Sequence, residues 1–574
     1  MKALRTIVVT ASFLSALPGH VSAQVPDEDA GGRWDLPVAI ADDIVARLNA
    51  PDAEVRNGDV NIAAGQVIAR DLAVLDGSAT IAGRIEGDLL VVNGSAVLLP
   101  GAVVTGEVIA VGGEAQTQEG SAVGGSITSY AQRLPYERSG GRVRLVRAPR
   151  NAGVAIDRDG SSDFLIATGK SYNRVEGMPI AFGPRLQTAG SNPFRLQALG
   201  IYRSEAGLRL EPDEMGYYVQ ADQFIGGHRA VSVGATLYSV IDPIEDWQLT
   251  DLESGLSTFL FHRDFRDHYE RTGWSLFTDI EPRSAPMRIH LEALWESNET
   301  RQVGSPWSLF SNADAWREQP VVGEGDIAAL LGEVNYDSRN STWNPSTGFF
   351  ARASLEKAFD VDLRQPDMVE GFSANDLVPV PGAEFGRFLH GLVDFRSYNR
   401  IDPQSRLNLR VVAGGSLAGE ALPPQRQHAL GGEGSLPGYS LFSSDCGARG
   451  RLVRRADAPG NENAYYPNYG CDAFALLQAE FRGKLSFRFR WDVGPWRDDD
   501  ETSDRVWDFG WDMAPDWALF VDAGRGWAFD GRPDDATRVN VGAGVLLERI
   551  GLYFAVPVNG GTGANVFLRL GPRF

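Results

Sequence analysis

Asn565-Val566-Phe567-Leu568-Arg569-Leu570-Gly571-Pro572-Arg573-Phe574 closes the chain, and its alternation decides the fold. Val566, Leu568, Leu570, Pro572 and Phe574 fall on one face, while Asn565, Arg569, Gly571 and Arg573 fall on the other. Successive side chains of a strand point to opposite faces, so an apolar face for lipid and a polar face for a lumen make the pattern of a transmembrane β-strand. With the aromatic Phe574 as its terminal signal, the segment reads as the closing strand of an outer-membrane barrel.

The amino terminus points to the same compartment. Lys2 and Arg5 precede an apolar stretch from Thr6 to Leu17, which is followed by Val21-Ser22-Ala23. This is the layout of a secretory signal peptide cleaved after Ala23. The stretch is too short to span a bilayer, and nowhere else are there the about 18 to 20 consecutive apolar residues of a membrane helix. A helical membrane protein is therefore excluded. The 65 glycines and 28 phenylalanines among 574 residues suit many short strands with tight turns and aromatic girdles. A formal net charge of -21 argues against nucleic acid as a partner, because phosphate binding needs a basic surface.

The chain divides by texture. Residues 1–23 read as the signal peptide and 24–57 as an acidic segment, in which Ile40 to Leu48 could form one or two turns of amphipathic helix. Across 58–128, small and β-branched residues are punctuated by glycine and repeat. Val74-Leu75-Asp76-Gly77-Ser78-Ala79 recurs as Val91-Val92-Asn93-Gly94-Ser95-Ala96 and, more weakly, as Ala110-Val111-Gly112-Gly113-Glu114-Ala115, while Gly87, Gly106 and Gly125 mark a second register. A short period with strand propensity and Gly corners is what a β-solenoid needs, since each coil buries its apolar side against the next. The segment resembles the bactofilin-like, polymer-forming solenoid domains; a small β-sandwich with repeated turns is the alternative.

Residues 129–160, with Arg133, Arg138, Arg142, Arg144, Arg147 and Arg150, read as a basic linker. A solvated connector and a contact with anionic headgroups or peptidoglycan are both open to it. From 161 to 574 alternating segments follow one another at the length a tilted crossing requires. Val231, Val233, Ala235 and Leu237 alternate with Ser232, Gly234, Thr236 and Tyr238, for example. Candidate strands begin at 174–186, include 206–211 and 484–491, and end at 563–573. They suit an antiparallel barrel of about 16 strands, with 12 or 14 as alternatives. Asp246 to Gly273 reads as a loop helix. The expected fold class is all-β, a transmembrane barrel preceded by a small solenoid.

Two cysteines, Cys446 and Cys471, share one polar loop-like segment. In an oxidising exported compartment their simplest fate is a disulfide. Metal binding competes, although two thiols with no nearby His make a poor site.

Four stretches carry a more specific resemblance. Tyr336-Asp337-Ser338-Arg339 followed by Asn344-Pro345-Ser346-Thr347-Gly348-Phe349 looks like the mid-barrel hairpin of the BamA/TamA surface-antigen superfamily, in which an Asp-x-Arg strand end leads through an Asn-Pro-x-x-Gly turn. Leu430-Gly431-Gly432-Glu433-Gly434-Ser435-Leu436-Pro437-Gly438-Tyr439 is similar to that family's Gly-Gly loop, which folds into the lumen and ends in Val-Arg-Gly-Tyr or Phe. Pro437 stands where the family has the arginine, and a proline cannot supply its donor fork. Gln478-Ala479-Glu480-Phe481-Arg482 and Leu519-Phe520-Val521-Asp522-Ala523-Gly524 resemble the strands whose acids receive the loop. With Trp517, Leu519 and Val521 outward, Asp522 points inward, where an unpaired acid is costly. Arg449, Arg525 or Arg482 could serve as its partner; Glu480 and Asp522 as merely solvated lumen acids is the alternative.

By this resemblance the chain would be a non-enzymatic outer-membrane protein that assembles or translocates proteins, or lipids, with unfolded outer-membrane proteins as clients and a periplasmic solenoid. Family members usually deliver clients through POTRA modules, and no such pattern occurs between Gln24 and Gly160. A structural or anchoring protein, whose solenoid self-associates or binds peptidoglycan, is the second reading. No catalytic constellation, cofactor site or metal-ligand cluster is expected. Gly414-Gly415-Ser416-Leu417-Ala418 lies at a strand end rather than in the strand-turn-helix setting of a nucleophile elbow, and Asp534-Asp535 reads as a solvated acidic loop.

Overall fold

The repeated apolar runs between Glu54 and Tyr130 become the strands of a parallel β-solenoid in the computed structural model of the chain. It describes residues 36–574 except 37, 52, 131–132, 135, 140–141, 146–159, 169–170, 191, 207–214, 227–230, 283–284, 341–343, 374, 403, 444–445, 448–451, 457–464, 485–486, 494–506, 514, 548–549, 562 and 572, with backbone alone across 487–513. The expected signal peptide, much of the acidic segment and most of the arginine-rich linker lie outside the described residues.

One face of the solenoid is a five-stranded parallel sheet of Glu54–Asn57, Leu72–Leu75, Leu89–Val92, Val108–Val111 and Ile127–Tyr130, and two four-stranded sheets form the other faces. The sequence repeat is the ladder itself, since Val74, Val91 and Ala110 are consecutive partners. At the corner that follows, Asp76, Asn93 and Gly112 all take positive φ, of 49°, 59° and 73°. Only Gly, Asn and Asp adopt that conformation readily. The next glycine serves close stacking, because a Cβ on Gly94 would sit 2.1 Å from the Gly77 carbonyl of the preceding coil. Ile62, Val74, Ile81, Ile85, Leu89, Val91, Leu98 and Val104 fill the interior with no exposure.

The five-stranded face is apolar on its outer side too, as continuous runs such as Leu89-Leu90-Val91-Val92 require. Helix α1 (Val38–Leu48) covers it, packing Ala41, Ile44 and Leu48 on Ala73, Leu75, Leu90, Val92 and Ile109. The hairpin Tyr136–Ser139 with Arg142–Leu145 completes the cover. The helix is longer than the one or two turns expected, and part of the presumed linker is structural.

The remainder is an antiparallel wall. Its strands are β1 (Ser161–Thr168), β2 (Pro179–Gln187), β3 (Phe194–Arg203), β4 (Met215–Ile225), β5 (Val231–Pro243), β6 (His268–Ile280), β7 (Met287–Glu299), β8 (Glu324–Asp337), β9 (Gly348–Arg364), β10 (Leu389–Arg400), β11 (Ser405–Ser416), β12 (Ala473–Lys484), β13 (Asp516–Trp527), β14 (Arg538–Leu547), β15 (Ile550–Pro557) and β16 (Asn565–Leu570). A short piece, Glu384–Phe385, extends β10 along β9. The strand number matches the expectation, but its composition differs. Strand β1 was absent from the candidates, and of the described residues in the 484–491 segment only Lys484, the end of β12, belongs to the wall, while Phe487–Val493 pairs with Trp507–Met513 in a separate hairpin. Of the 206–211 candidate, most lies outside the described residues.

Leu237, Leu276, Leu291, Leu330, Leu355, Val393, Leu477, Leu519, Leu552 and Leu568 project from the wall, each about half exposed. Asp222, Glu296, Arg410, Glu480 and Asp522 are buried on the other side. Polar inside and apolar outside inverts a water-soluble sheet and suits a surface solvated by hydrocarbon. The wall curls round its interior: the loop 244–267 reaches β9 through Asp246 and Arg352 at 3.6 Å, β11 through the Trp247 carbonyl and Arg410 at 2.8 Å, and β16 through Glu253 and Arg569 at 2.7 Å. Helix α2 (Asp251–Phe261) within that loop is shorter than the 246–273 helix expected. Among the described residues no ladder joins β1 to β16.

The solenoid meets the wall at the end opposite the long loops. Asn340 Nδ2 donates to the Ser129 carbonyl at 2.8 Å and Arg400 Nη1 to the Ile127 carbonyl at 3.2 Å. The barrel's turns thus satisfy part of the free edge of the terminal coil.

Candidate functional site

Gly431 and Gly432, at φ 122° and 85°, turn the loop between β11 and β12 back into the barrel. A Cβ on Gly431 would lie 2.4 Å from the Ser440 carbonyl, so the bend needs glycine on space as well as dihedral. Residues 431–437 are all buried. Leu430, Leu436 and Tyr439 form an apolar cluster with Trp247, Leu392, Val412, Phe474 and Leu476.

Polar contacts then tie the loop to the last strands of the wall. Gln478 on β12 donates to the Ser435 carbonyl at 2.9 Å, and Asn565 on β16 donates to the Pro437 carbonyl at 3.0 Å. The Tyr439 hydroxyl donates to the Val539 carbonyl on β14 at 2.8 Å. Gly438 rests directly on the wall, because a Cβ there would fall 2.6 Å from Asn540 Cβ and 3.0 Å from the Pro557 nitrogen. The loop turns into the interior of the wall and holds it by backbone carbonyls and a phenol rather than by an arginine.

The Asp522 carboxylate has a different partner from any expected. Arg573 Nη2 donates to Asp522 Oδ2 at 2.6 Å, Asn540 Nδ2 donates to the same oxygen at 2.8 Å, and all three side chains are buried. The Arg573 guanidinium lies 3.7 Å from the centre of the Phe520 ring. Arg482 pairs instead with Glu480, which also accepts from Asn408 at 3.1 Å. Arg525 faces Asp534 at 3.5 Å. Arg449 lies outside the described residues.

Arg573 arrives there because the carboxy terminus leaves the strand. The alternation holds for Val566 and Leu568, which are outward, and for Arg569, which is inward. At Gly571, φ is +108°, a backbone that only glycine adopts without strain. Phe574, expected on the lipid face, is instead buried, and its carbonyl accepts from the Tyr398 hydroxyl at 2.7 Å. The terminal Phe expectation is corrected for this physical reason: one glycine breaks the period of two and redirects the tail inward. Pro572 lies outside the described residues.

A second brace comes from α2. Glu253 is the N3 residue of a capping box with Thr250, and it also accepts from Arg569 Nε at 2.7 Å and from the Leu570 backbone at 2.8 Å. One carboxylate therefore starts the helix and fastens β16. Sequence reading missed Glu253, Arg569 and Arg573 as site residues. The signal was present, since two arginines on the polar face of the closing segment, Arg569 and Arg573, demand buried acids.

The hairpin motif sits at the solenoid end. Arg339 makes a two-point contact with Asp337 at 3.0 Å on each arm. Arg406 on β11 clamps the turn, donating to Asn344 Oδ1 at 2.6 Å and to the Pro345 carbonyl at 3.1 Å. Gly348, at φ 95°, would place a Cβ 2.3 Å from the Ser338 carbonyl. Cys446 and Cys471 are joined in a disulfide that closes a 25-residue separation in the long loop. Gly526 makes room for it, because a Cβ there would meet Cys471 Sγ at 2.3 Å. Ser416 is engaged with Glu420 at 2.8 Å, and Asp535 with Arg538 at 3.1 Å.

No family model matches the chain, and no curated protein matches it. Similar solved structures exist. BamA from Haemophilus ducreyi lacking POTRA domains 1-3 aligns with a TM-score of 0.38 and 13% identity, over 72% of this chain and 70% of that one. CdiB from Escherichia coli aligns at 0.30 and 10% identity, over 76% of this chain and 66% of that one. CdiB from Acinetobacter baumannii gives 0.29 and 9%, over 72% and 66%.

Proposed function

We propose that the chain is a non-enzymatic outer-membrane barrel that assembles or translocates proteins, with its solenoid in the periplasm. The observation that carries this reading is that β1 and β16 are the two edge strands of the wall and that, among the described residues, no ladder joins them. The inner face of β16 is fastened by Glu253, by the Pro437 carbonyl and by the carboxy-terminal tail. An unpaired strand edge is a template for another strand, so a client β-strand can add to it once the braces yield. The apolar belt implies outer-membrane lipids as the other partner.

The test is reconstitution into liposomes with an unfolded outer-membrane barrel as client. Client insertion or a protein-conducting leak is expected, and Val566→Pro, which removes a backbone donor from β16, is expected to abolish it. An inert barrel in that assay overturns the reading.

A structural anchor is the second reading, favoured by the hydrogen bonds from Asn340 and Arg400 to the terminal coil. In that reading the solenoid binds peptidoglycan or a second copy through its amino-terminal coil. Solenoid-dependent assembly by an otherwise inert barrel is its expected outcome.

A further inference from the structure

Two imidazoles meet edge to edge where the lumen loop touches the wall. His390 on β10 and His428 in the loop place their Nε2 atoms 3.0 Å apart, with ring planes inclined by 19° and centroids 5.2 Å apart. We propose that this pair is a binding site for a late first-row transition-metal ion, Cu²⁺ most strongly and Zn²⁺ next, which staples the lumen loop to β10. The proposal is independent of the assembly reading.

The outer nitrogens carry the argument. His428 Nδ1 lies 2.7 Å from Glu245 Oε1, and that carboxylate is held by Trp247 Nε1 at 3.1 Å and Gln248 Nε2 at 3.0 Å. An acceptor so placed keeps the proton on Nδ1, so His428 Nε2 accepts the bond that His390 Nε2–H donates, and an ion that replaces this bond displaces that one proton to solvent. His390 Nδ1 lies 4.0 Å from Glu356 Oε2, too far for a hydrogen bond. Carboxylate–histidine pairs such as Glu245 with His428 orient metal-binding imidazoles. The cation next to the site, Arg426, is paired with Glu356 at 2.7 Å.

Two imidazole nitrogens each about 2.0–2.1 Å from an ion, at a tetrahedral angle, stand ~3.3 Å apart, so a few tenths of an ångström of opening suffices. Nitrogen ligands favour copper, nickel and zinc over magnesium or calcium, and Cu²⁺ heads the affinity order. A cavity under the loops, lined by Glu245, Gln248, Gln427, His428 and Tyr469, reaches the pair from the His428 side. The site is also rigid. The His428 ring packs 4.5 Å from Phe474, and its backbone pairs both ways with Cys471, the disulfide residue, at 2.9 and 2.7 Å.

The experiment uses untagged full-length protein in detergent micelles, titrated with Cu²⁺ and separately with Zn²⁺. Expected are about one ion per chain, nitrogen hyperfine structure from two imidazoles in the Cu²⁺ resonance spectrum, and slower hydrogen exchange in the loop around His428 on loading. His390→Gln and His428→Gln should each weaken binding at least tenfold, and Glu245→Gln by about 10–100-fold, the usual effect of a lost outer partner. His290→Gln, at a separate half-buried imidazole on β7, should leave binding unchanged. Heat-modifiable gel migration establishes that each variant is folded. The proposal is overturned if the native protein binds no ion at micromolar concentration, or if the folded His390 and His428 variants bind as the native chain does. A two-imidazole contact that only shares a proton gives the first of these results.

Discussion

Arg573 and Asp522 lie 51 residues apart and meet at 2.6 Å inside the barrel. The carboxy terminus thereby supplies the guanidinium that the resemblance assigns to the lumen loop, at the position occupied here by Pro437. The consequence is a changed linkage. An arginine in the loop would tie β13 to the loop, whereas Arg573 ties β13 to the end of β16, an edge strand of the wall.

Removing one partner of a buried pair leaves the other charged and unsolvated, at a cost of about 3–5 kcal/mol. Arg573→Ala is therefore expected to lower the midpoint of heat-modifiable unfolding strongly. Asp522→Asn combined with Arg573→Ala should cost less than the two single changes added together, because neither charge is then left alone. Arg573→Lys keeps a charge but loses the planar stacking on Phe520 at 3.7 Å, so partial restoration is expected. Additive effects in this cycle would refute the lock.

Glu253 performs two functions that separate mutations distinguish. Thr250→Ala removes the side-chain cap of α2 at about 1 kcal/mol while leaving the Arg569 contact, whereas Glu253→Gln weakens both. Hydrogen exchange in β16 should therefore rise with Glu253→Gln and change little with Thr250→Ala. Equal acceleration by both variants would show that the helix, rather than the ion pair, holds the strand.

The wall was legible because membrane strands repeat a two-residue alternation, and the Gly-Gly loop because its glycines mark a forced bend. The solenoid was legible in Asp76, Asn93 and Gly112, one left-handed corner written three times. What escaped was non-local. Arg573 looked like one more lumen-facing residue, and nothing in the alternation names Asp522, 51 residues away, as its partner. Strand β1 was missed because Ser161-Ser162-Asp163-Phe164-Leu165-Ile166-Ala167-Thr168 alternates only weakly. The 484–491 segment misled for the opposite reason, since a strong alternation states that a strand exists but not which sheet takes it.

The rim contact makes the terminal coil of the solenoid dependent on the barrel. Asn340→Ala with Arg400→Ala frees the Ser129 and Ile127 carbonyls, and exchange across Ile127–Tyr130 is expected to accelerate while Leu72–Leu75 in the middle of the sheet stays protected. By contrast Ile81→Ala, deep in the solenoid, should cost about 2–5 kcal/mol and loosen every coil. Unchanged exchange in Ile127–Tyr130 would mean that the domains do not support one another.

The cover hairpin of the solenoid should come away at both ends of the pH scale. The Tyr136 hydroxyl donates to Asp76 at 2.5 Å. That bond, more than Asn93 and Arg133 and against some burial, holds the Asp76 carboxyl below its usual range. Burial first, and then the Asp76 carboxylate, push the Tyr136 phenol up to about 12. A carboxyl depressed by folding stabilises the fold above its ordinary pKa of about 4 and loses that contribution as pH falls. A phenol raised by folding stabilises below its ordinary pKa of about 10 and loses that contribution as pH rises toward 12. Exchange protection of Tyr136–Ser139 should therefore be flat between about pH 5 and 9 and decline on either side. Tyr136→Phe removes the hydroxyl common to both limbs, so its hairpin should show weaker protection with neither decline. A variant that keeps the acid limb would place its origin outside this pair.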